Sequence, residues 1–152
     1  MTDSPIKSPN SPNKVSISVV ICAFNEQDWI SNTLASLMQQ KRLPDEVVIV
    51  NNASSDNTEA VVTAFIADHP ANNIIMVYQP QKGLHHAREA GWRAAHSDVV
   101  VMTDADMRFP RDWLQIVEDA FADPQVEAIT GIVRYWDALP IINWVTWGLS
   151  LI

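Results

Sequence analysis

Apolar residues along this chain fall into short runs rich in β-branched side chains, separated by stretches of helical periodicity. The periodic stretches predict helices over residues 29–41, from 56 onwards, over 84–96 and from 110 onwards. The apolar runs predict strands over residues 15–23, 46–50, 74–78, 99–103 and 126–133. Strands that alternate with helices predict an α/β fold with a mainly parallel sheet flanked by helices.

Local signals refine three of these helices. Asn25 precedes the first helix and is predicted to cap it. Asp56 is predicted to cap the second, with Glu59 three residues further on in capping-box position. The third helix carries a stripe of small residues, which predicts close packing against the sheet: Ala87, Gly91, Ala94 and Ala95.

The two ends of the chain differ from this alternating middle. Residues 1–14 are rich in Pro, Ser and Asn, which predicts a disordered tail before a domain over 15–138. Residues 139–152 carry no charge and contain Trp144 and Trp147. This segment is shorter than the roughly 20 residues of a bilayer span, but Trp favours bilayer boundaries. It predicts the start of a membrane-associated region, or else a core helix without its partners.

Composition excludes several classes of protein. The net charge of −8 argues against nucleic-acid binding, which requires Lys and Arg stripes. A single cysteine, Cys22, rules out a disulfide framework, and the N-terminus has no apolar signal segment, so a cytoplasmic protein is expected. None of the G-x-G-x-x-G, Walker A or G-x-S-x-G signatures is present.

Two carboxylates end the fourth predicted strand. Asp104 and Asp106 are two residues apart, and on an extended segment such side chains face the same way. They would repel each other unless a cation lay between them, and hard oxygen ligands suit Mg²⁺ or Mn²⁺. A lone D-x-D is a weak signal because it is common on solvated loops. Its position after an apolar strand strengthens it, since ligands of parallel sheets bind at the carboxyl ends of strands.

The other strand ends are polar as well. The segments 23–26, 51–56 and 78–83 are each typical of a turn or a helix cap when taken alone. Together they would line one edge of the sheet with amides, carboxylates and a lysine. Lys82 and Arg88 flank a helix N-terminus, where they could contact a diphosphate.

Four of these segments resemble the opening of the family 2 glycosyltransferases. They are Val-Val-Ile-Cys-Ala-Phe-Asn-Glu at 19–26, Val-Ile-Val-Asn-Asn-Ala-Ser-Ser-Asp-Asn-Thr at 48–58, Lys-Gly-Leu-His-His-Ala-Arg-Glu-Ala-Gly at 82–91 and Thr-Asp-Ala-Asp at 103–106. The resemblance implies the Rossmann-like GT-A fold, a nucleotide-diphospho-sugar donor, dependence on Mn²⁺ or Mg²⁺ and inversion at the sugar carbon. Because the chain stops inside an apolar segment, this fold is expected to be incomplete at the C-terminus.

The resemblance also implies roles for individual residues. Glu26 and the backbone around Ala23 and Phe24 would contact the nucleoside. Asn51 stands where the family often has an Asp that accepts a hydrogen bond from the base. An amide also donates, so the identity of the base is open.

The remaining implied roles concern the diphosphate and the metal. Arg88 would lie near the nucleotide, Asp104 near the ribose and the metal, and Asp106 on the metal itself. The general base of such enzymes belongs to the acceptor-binding half, so it is expected beyond Ile152, and the acceptor is unknown. Two alternatives stay open: a non-catalytic nucleotide-sugar-binding module, and a receiver-type domain that binds Mg²⁺.

Overall fold

Strands and helices alternate in the computed structural model, which describes residues 14–131. The four strands are β1 (Ile17–Ala23), β2 (Glu46–Asn51), β3 (Ile74–Tyr78) and β4 (Val99–Asp104). The four helices are α1 (Ile30–Met38), α2 (Thr58–Asp68), α3 (Leu84–Ala94) and α4 (Trp113–Ala120). Each element begins and ends within three residues of the bounds that the apolar pattern predicts, except for the fifth strand.

All four strands run parallel, in the order β3-β2-β1-β4. The chain moves outward from β1 to β3 and then crosses back to place β4 on the other side of β1. The direction of winding therefore reverses at β1, and in open parallel sheets ligands bind in the crevice at such a reversal. Cys22 of β1 pairs in register with Asp104 of β4, so the first carboxylate of the D-x-D lies at that crevice.

The sheet is covered on both faces, which explains the continuous apolar character of its central strands. Alternate residues of β1 and β2 pack with α1, α2 and α4 in the larger core cluster, which includes Ile21, Leu34 and Leu114. The intervening residues pack with α3 in a smaller cluster that includes Val20 and Val50. Every β2 residue is buried, whereas the edge strands β3 and β4 are partly exposed.

The predicted small-residue stripe of α3 does lie against the sheet. A Cβ added to Gly91 would come within 2.3 Å of Val20 Cγ1 and 3.1 Å of Val50 Cγ2. Ala87 is fully buried beside them. The helix therefore sits directly on the strands, and its N-terminus lies at the carboxyl edge of the sheet.

The structure corrects the expectations about the fifth strand and about the start of the second helix. Residues 126–131 form no strand, because they pair with none of the four strands described and most of their side chains are exposed; the rest of that predicted strand lies outside the described residues. The second helix begins at Thr58, not at Asp56. The carboxylate of Asp56 does accept the Thr58 backbone N–H at 3.0 Å, but Glu59 contacts Asn51 instead of closing a capping box.

Both chain ends lie outside the described residues, apart from Lys14. The predicted disordered tail and the predicted membrane-associated segment over 139–152 therefore stay predictions, as does the incomplete C-terminus. Within residues 14–131, no helix combines the length and apolar character that crossing a bilayer requires.

A buried carboxylate, that of Glu46, joins two strands and a loop at the amino edge of the sheet. Glu46 accepts hydrogen bonds from Ser18 Oγ at 2.6 Å and from the His96 backbone N–H at 2.9 Å, and its other oxygen lies 3.0 Å from His96 Nδ1. Burial raises the pKa of Glu46, but the hydrogen bonds from Ser18 and His96 outweigh it, so the pKa lies below its ordinary value.

Glu46 should therefore contribute stability that disappears in acid. A carboxyl whose pKa is lowered by folding stabilises the fold above its unfolded pKa, about 4.3 for Glu, and this contribution is lost as the pH falls through the folded value. Glu46→Gln should lower stability at neutral pH and flatten its decline below about pH 4. Urea unfolding followed by tryptophan fluorescence measures both effects. Glu127→Gln, at an exposed position, is the control; equal pH profiles for the two variants would contradict the assignment.

Candidate functional site

The D-x-D motif forms a turn at the carboxyl end of β4 with both carboxylates facing outward. Ala105 between them is buried, and its carbonyl accepts a 2.6 Å hydrogen bond from Thr33 Oγ1 on α1. Asp104 and Asp106 on either side are exposed. Because the buried residue between them is hydrogen-bonded to α1, both carboxylates are left open to solvent at the carboxyl end of β4.

Negative charge accumulates around this turn. Burial raises the pKa of Glu26, and the carboxylates of Asp106, Asp56 and Asp104 raise it further. One cation lies close to this charge: Arg88 Nη2 is 3.9 Å from Asp104 Oδ1, and both side chains are at least half exposed. Such an exposed, long ion pair contributes little. The region can thus accept a cation while leaving Arg88 able to turn towards an anion.

The loop after β1 brings an aromatic ring and a lysine together. Ala23 is buried at the end of the strand, while the Phe24 side chain is 45 % exposed. Lys82 Nζ, from the loop before α3, lies 4.6 Å from the centroid of the Phe24 ring. The Glu26 backbone N–H donates to Thr58 Oγ1 at 2.8 Å, which ties this loop to the start of α2. The predicted residues of the first and third motifs are therefore neighbours.

Asn51, at the end of β2, is buried beneath the exposed residues of the site. The residue is 2 % exposed, its Nδ2 donates to Glu59 Oε2 at 3.2 Å and its Oδ1 accepts from the Ser54 backbone N–H at 3.0 Å. The amide keeps one N–H and one lone pair for a further partner. A contact between Asn51 and a base, as the sequence predicts, would have to use one of these two.

Asn25 links two strand-end loops, and the prediction that it caps α1 is wrong. The helix is preceded by Trp29, with no side-chain hydrogen bond to the cap. Asn25 itself has a φ of +58°, a region that Asn tolerates better than most residues. In that conformation its Oδ1 accepts the Ser55 backbone N–H at 2.8 Å, while the Asn25 N–H donates to Ser54 Oγ at 3.1 Å.

The chain is similar in sequence to known glycosyltransferases. The profile of glycosyl transferase family 2 matches residues 18–147. An uncharacterized glycosyltransferase of Nostoc sp. is 30% identical over 123 residues, which are 81% of this chain and 37% of that protein. The chain belongs to glycosyl transferase family 2. It spans little more than a third of the length of the Nostoc relative. The receiver-type alternative is wrong, since the family 2 profile covers residues 18–147.

Solved structures agree on the fold of this family 2 domain. A mannosyltransferase from Pyrobaculum calidifontis, in complex with GDP-Man and Mn²⁺, superposes with a TM-score of 0.70 at 25% identity over 94% of this chain and 41% of its own. TarS of S. aureus in complex with UDP gives 0.62 at 24% identity over 72% of this chain and 32% of its own. The four-stranded parallel sheet with helices on both faces is thus the Rossmann-like GT-A arrangement that the sequence predicts.

The family 2 domain does not supply a complete metal shell from the residues described. Within 14–131 there is no group of three or more His, Cys, Asp or Glu that could hold an ion by itself. Burial raises the pKa of the Cys22 thiol, while Arg88 lowers it and Asp104 raises it by smaller amounts. Two carboxylates with their remaining positions open are the pattern of a Mg²⁺ or Mn²⁺ site that is completed by water and phosphate oxygens.

Sequence reasoning missed two residues that shape the site of this family 2 domain. Thr33 fixes the D-x-D turn, and a signal for it exists: a hydroxyl stands on the apolar face of α1 between Ile30 and Leu34. Asn52 is 4 % exposed and bonds the loop before α3. Its signal is faint, because Asn after a strand is ordinary turn chemistry.

Proposed function

We propose that this domain binds a nucleoside-diphospho-sugar donor at the carboxyl edge of its sheet and serves an inverting, metal-assisted glycosyl transfer. The observation that carries the proposal is the exposed pair Asp104 and Asp106 at the β1–β4 crevice, beside a Glu26 whose pKa is raised by its acidic neighbours. Solved neighbours of the same fold hold GDP-Man with Mn²⁺ and UDP, respectively, which supports a donor of this class.

The nucleoside would lie over the ends of β1 and β2. The Phe24 ring offers an exposed apolar face, and the backbone around Ala23 offers hydrogen-bonding groups beside it. Glu26 and the remaining capacity of the Asn51 amide would contact the ribose or the base. Since the two solved neighbours carry different bases, guanine and uracil remain alternatives for the test below.

The diphosphate would lie between the D-x-D turn and the start of α3. Lys82 and Arg88 would donate to its oxygens, assisted by the free backbone N–H groups of the helix N-terminus. Asp104 and Asp106 would hold Mn²⁺ or Mg²⁺. When bound there, the cation would supply positive charge next to the leaving diphosphate, where negative charge grows as the sugar–phosphate bond breaks. Lys82 and Arg88 would stabilise the same charge.

Transfer also requires a base that takes the proton of the acceptor hydroxyl. We assign this role to no described residue and propose that it lies beyond Ile152, in the part of the relatives that this chain does not match. The acceptor stays open, although the net charge of −8 disfavours a nucleic acid. Action in the cytoplasm, with or without membrane association through 139–152, stays a prediction.

A thermal-shift and calorimetric screen tests the proposal. UDP, GDP, ADP and CDP are each added to the 152-residue chain with and without Mn²⁺. We expect one or two of them to raise the melting temperature, and to do so more strongly with Mn²⁺, because a ligand that binds only the folded state stabilises it. Equal melting temperatures with every nucleotide would contradict the proposal. Nucleotide binding in the 152-residue chain without sugar transfer would agree with a base outside this chain or with a non-catalytic module.

A further inference from the structure

We propose that Asn52 is a positioning residue that holds the loop between β3 and α3, residues 79–83, in the conformation that presents Lys82 to the donor diphosphate. This inference rests on the proposed function of Lys82. It concerns a side chain that the family resemblance does not assign and that bonds to backbone groups of this loop.

The Asn52 amide uses all of its hydrogen atoms on this loop. Nδ2 donates to the carbonyl of Gln81 at 2.7 Å and to that of Gln79 at 3.1 Å, and Oδ1 accepts the Gly83 backbone N–H at 2.8 Å. The three hydrogen bonds reach residues that precede and follow Lys82 in the chain, so they fix the backbone on both sides of this lysine. An amide is the only short side chain with two donors and an acceptor on one plane.

The backbone of Asn52 anchors this amide to the sheet. Its N–H donates to the carbonyl of Ala23 at 2.9 Å, and the Gln79 N–H donates to the carbonyl of Asn51 at 2.9 Å. Asn52 is 4 % exposed, so its hydrogen bonds are shielded from competition by water. The loop is thus fixed to the ends of β1 and β2, the strands over which the nucleoside would lie.

Order in this loop matters for the donor site. Gly83 has a φ of +134°, and its carbonyl accepts the N–H groups of His86 and Ala87, so it begins α3. The Asn52–Gly83 bond therefore sets the direction from which α3 and Lys82 meet a bound anion. A loop ordered in advance loses less conformational entropy on binding, and that saving appears as affinity.

A double-mutant cycle tests the inference by calorimetry with Mn²⁺ and whichever of UDP and GDP the unchanged chain binds. Asn52→Ala should weaken binding about tenfold. In a Lys82→Ala background the same change should weaken it by no more than about twofold, because the loop then has no ammonium to present. A purely structural role would give equal losses in both backgrounds. Asn73→Ala, an exposed amide at the amino edge of the sheet, is the control and should bind as the unchanged chain does.

Amide hydrogen exchange tests, without any ligand, whether the Asn52 side chain holds the loop over residues 79–83. Asn52→Ala should speed exchange of the Gly83 N–H. Asn52→Asp keeps the acceptor and the side-chain size but sets an oxygen against two carbonyls, so it should protect Gly83 better than alanine does while still weakening nucleotide binding; it also serves if Asn52→Ala does not fold.

Unchanged affinity in both Asn52 variants, or equal losses in both backgrounds, would overturn the inference and leave the proposed function intact. An unchanged exchange rate of the Gly83 N–H in Asn52→Ala would show that the Asn52 side chain does not hold this loop. If the unchanged chain binds neither nucleotide, the proposed function and the inference fall together.

Discussion

Asp106→Ala should remove the Mn²⁺-dependent part of nucleoside-diphosphate binding, with a loss in affinity of about a hundredfold in the presence of the metal. The reason is the small number of ligands: of the two carboxylates at the turn, Asp106→Ala removes one, so the protein holds the cation through Asp104 alone and the remaining ligands are water and phosphate oxygens. Calorimetric titration with and without Mn²⁺ measures the change, and binding without metal should be nearly unaffected.

The matched control for Asp106→Ala is Asp68→Ala. Asp68 is an exposed carboxylate at the far end of α2, on the opposite edge of the sheet, so its removal changes the net charge by the same amount. It should leave the Mn²⁺ effect intact. If both variants lose the same affinity, a general charge effect explains the result and Asp106 is not a ligand.

Arg42→Ala should lower the free energy of unfolding by about 3 kcal/mol. Its side chain is only 7 % exposed and joins three parts of the chain. The guanidinium donates to Glu118 of α4 at 3.2 Å, to Asp45 at 2.6 Å, and to the carbonyls of Leu43 and Val15 at 2.6 and 2.8 Å. Truncation removes this buried donor from two carboxylates and two carbonyls, which is far more unfavourable than losing a surface pair.

Arg93→Ala provides the comparison for Arg42→Ala. Arg93 also forms an ion pair, with Glu89 one helical turn away at 2.8 Å, but both side chains are more than half exposed. Exposed pairs of this kind contribute little to stability, so urea unfolding should detect little change. Equal losses for the two variants would contradict the role assigned to the buried guanidinium.

The sheet could be predicted from the sequence because its chemistry is repetitive. Residues such as Val48 and Ile49 lie in runs that are apolar on both faces, which only a covered strand explains. The small residues of α3 likewise predict that this helix packs close to the sheet, since a Cβ on Gly91 would collide with Val20. Buried strands and closely packed helices can therefore be predicted from the spacing of apolar and small residues in a single sequence.

Contacts between loops could not be predicted in the same way. Asn25 looks like a helix cap and Asn52 looks like a turn residue, because both are typical there. Their actual partners, Ser55 and the loop around Lys82, are about thirty residues away and depend on which strands are neighbours. A preference for turns carries no information about such distant partners.

The fifth strand was predicted from the sequence but is absent from the described residues. Residues 126–131 include β-branched side chains, yet a strand also needs a neighbour whose backbone groups pair with its own. The sequence pattern reports the preference of the segment and not the presence of that neighbour. The position of the D-x-D could be predicted because it follows directly from a strand, whereas the arrangement of the residues around it required the fold.

Paramagnetic relaxation by Mn²⁺ tests the central claim most directly. In nitrogen–proton NMR spectra of the 152-residue chain with a bound nucleoside diphosphate, small amounts of Mn²⁺ should broaden the amide signals of residues 104–106, Glu26 and Arg88 first. Signals at the amino edge of the sheet, such as those of Asp68 and Ser97, should stay sharp. Broadening centred elsewhere, or broadening at 104–106 that does not increase when the nucleotide is added, would contradict a cation that joins these carboxylates to the donor diphosphate.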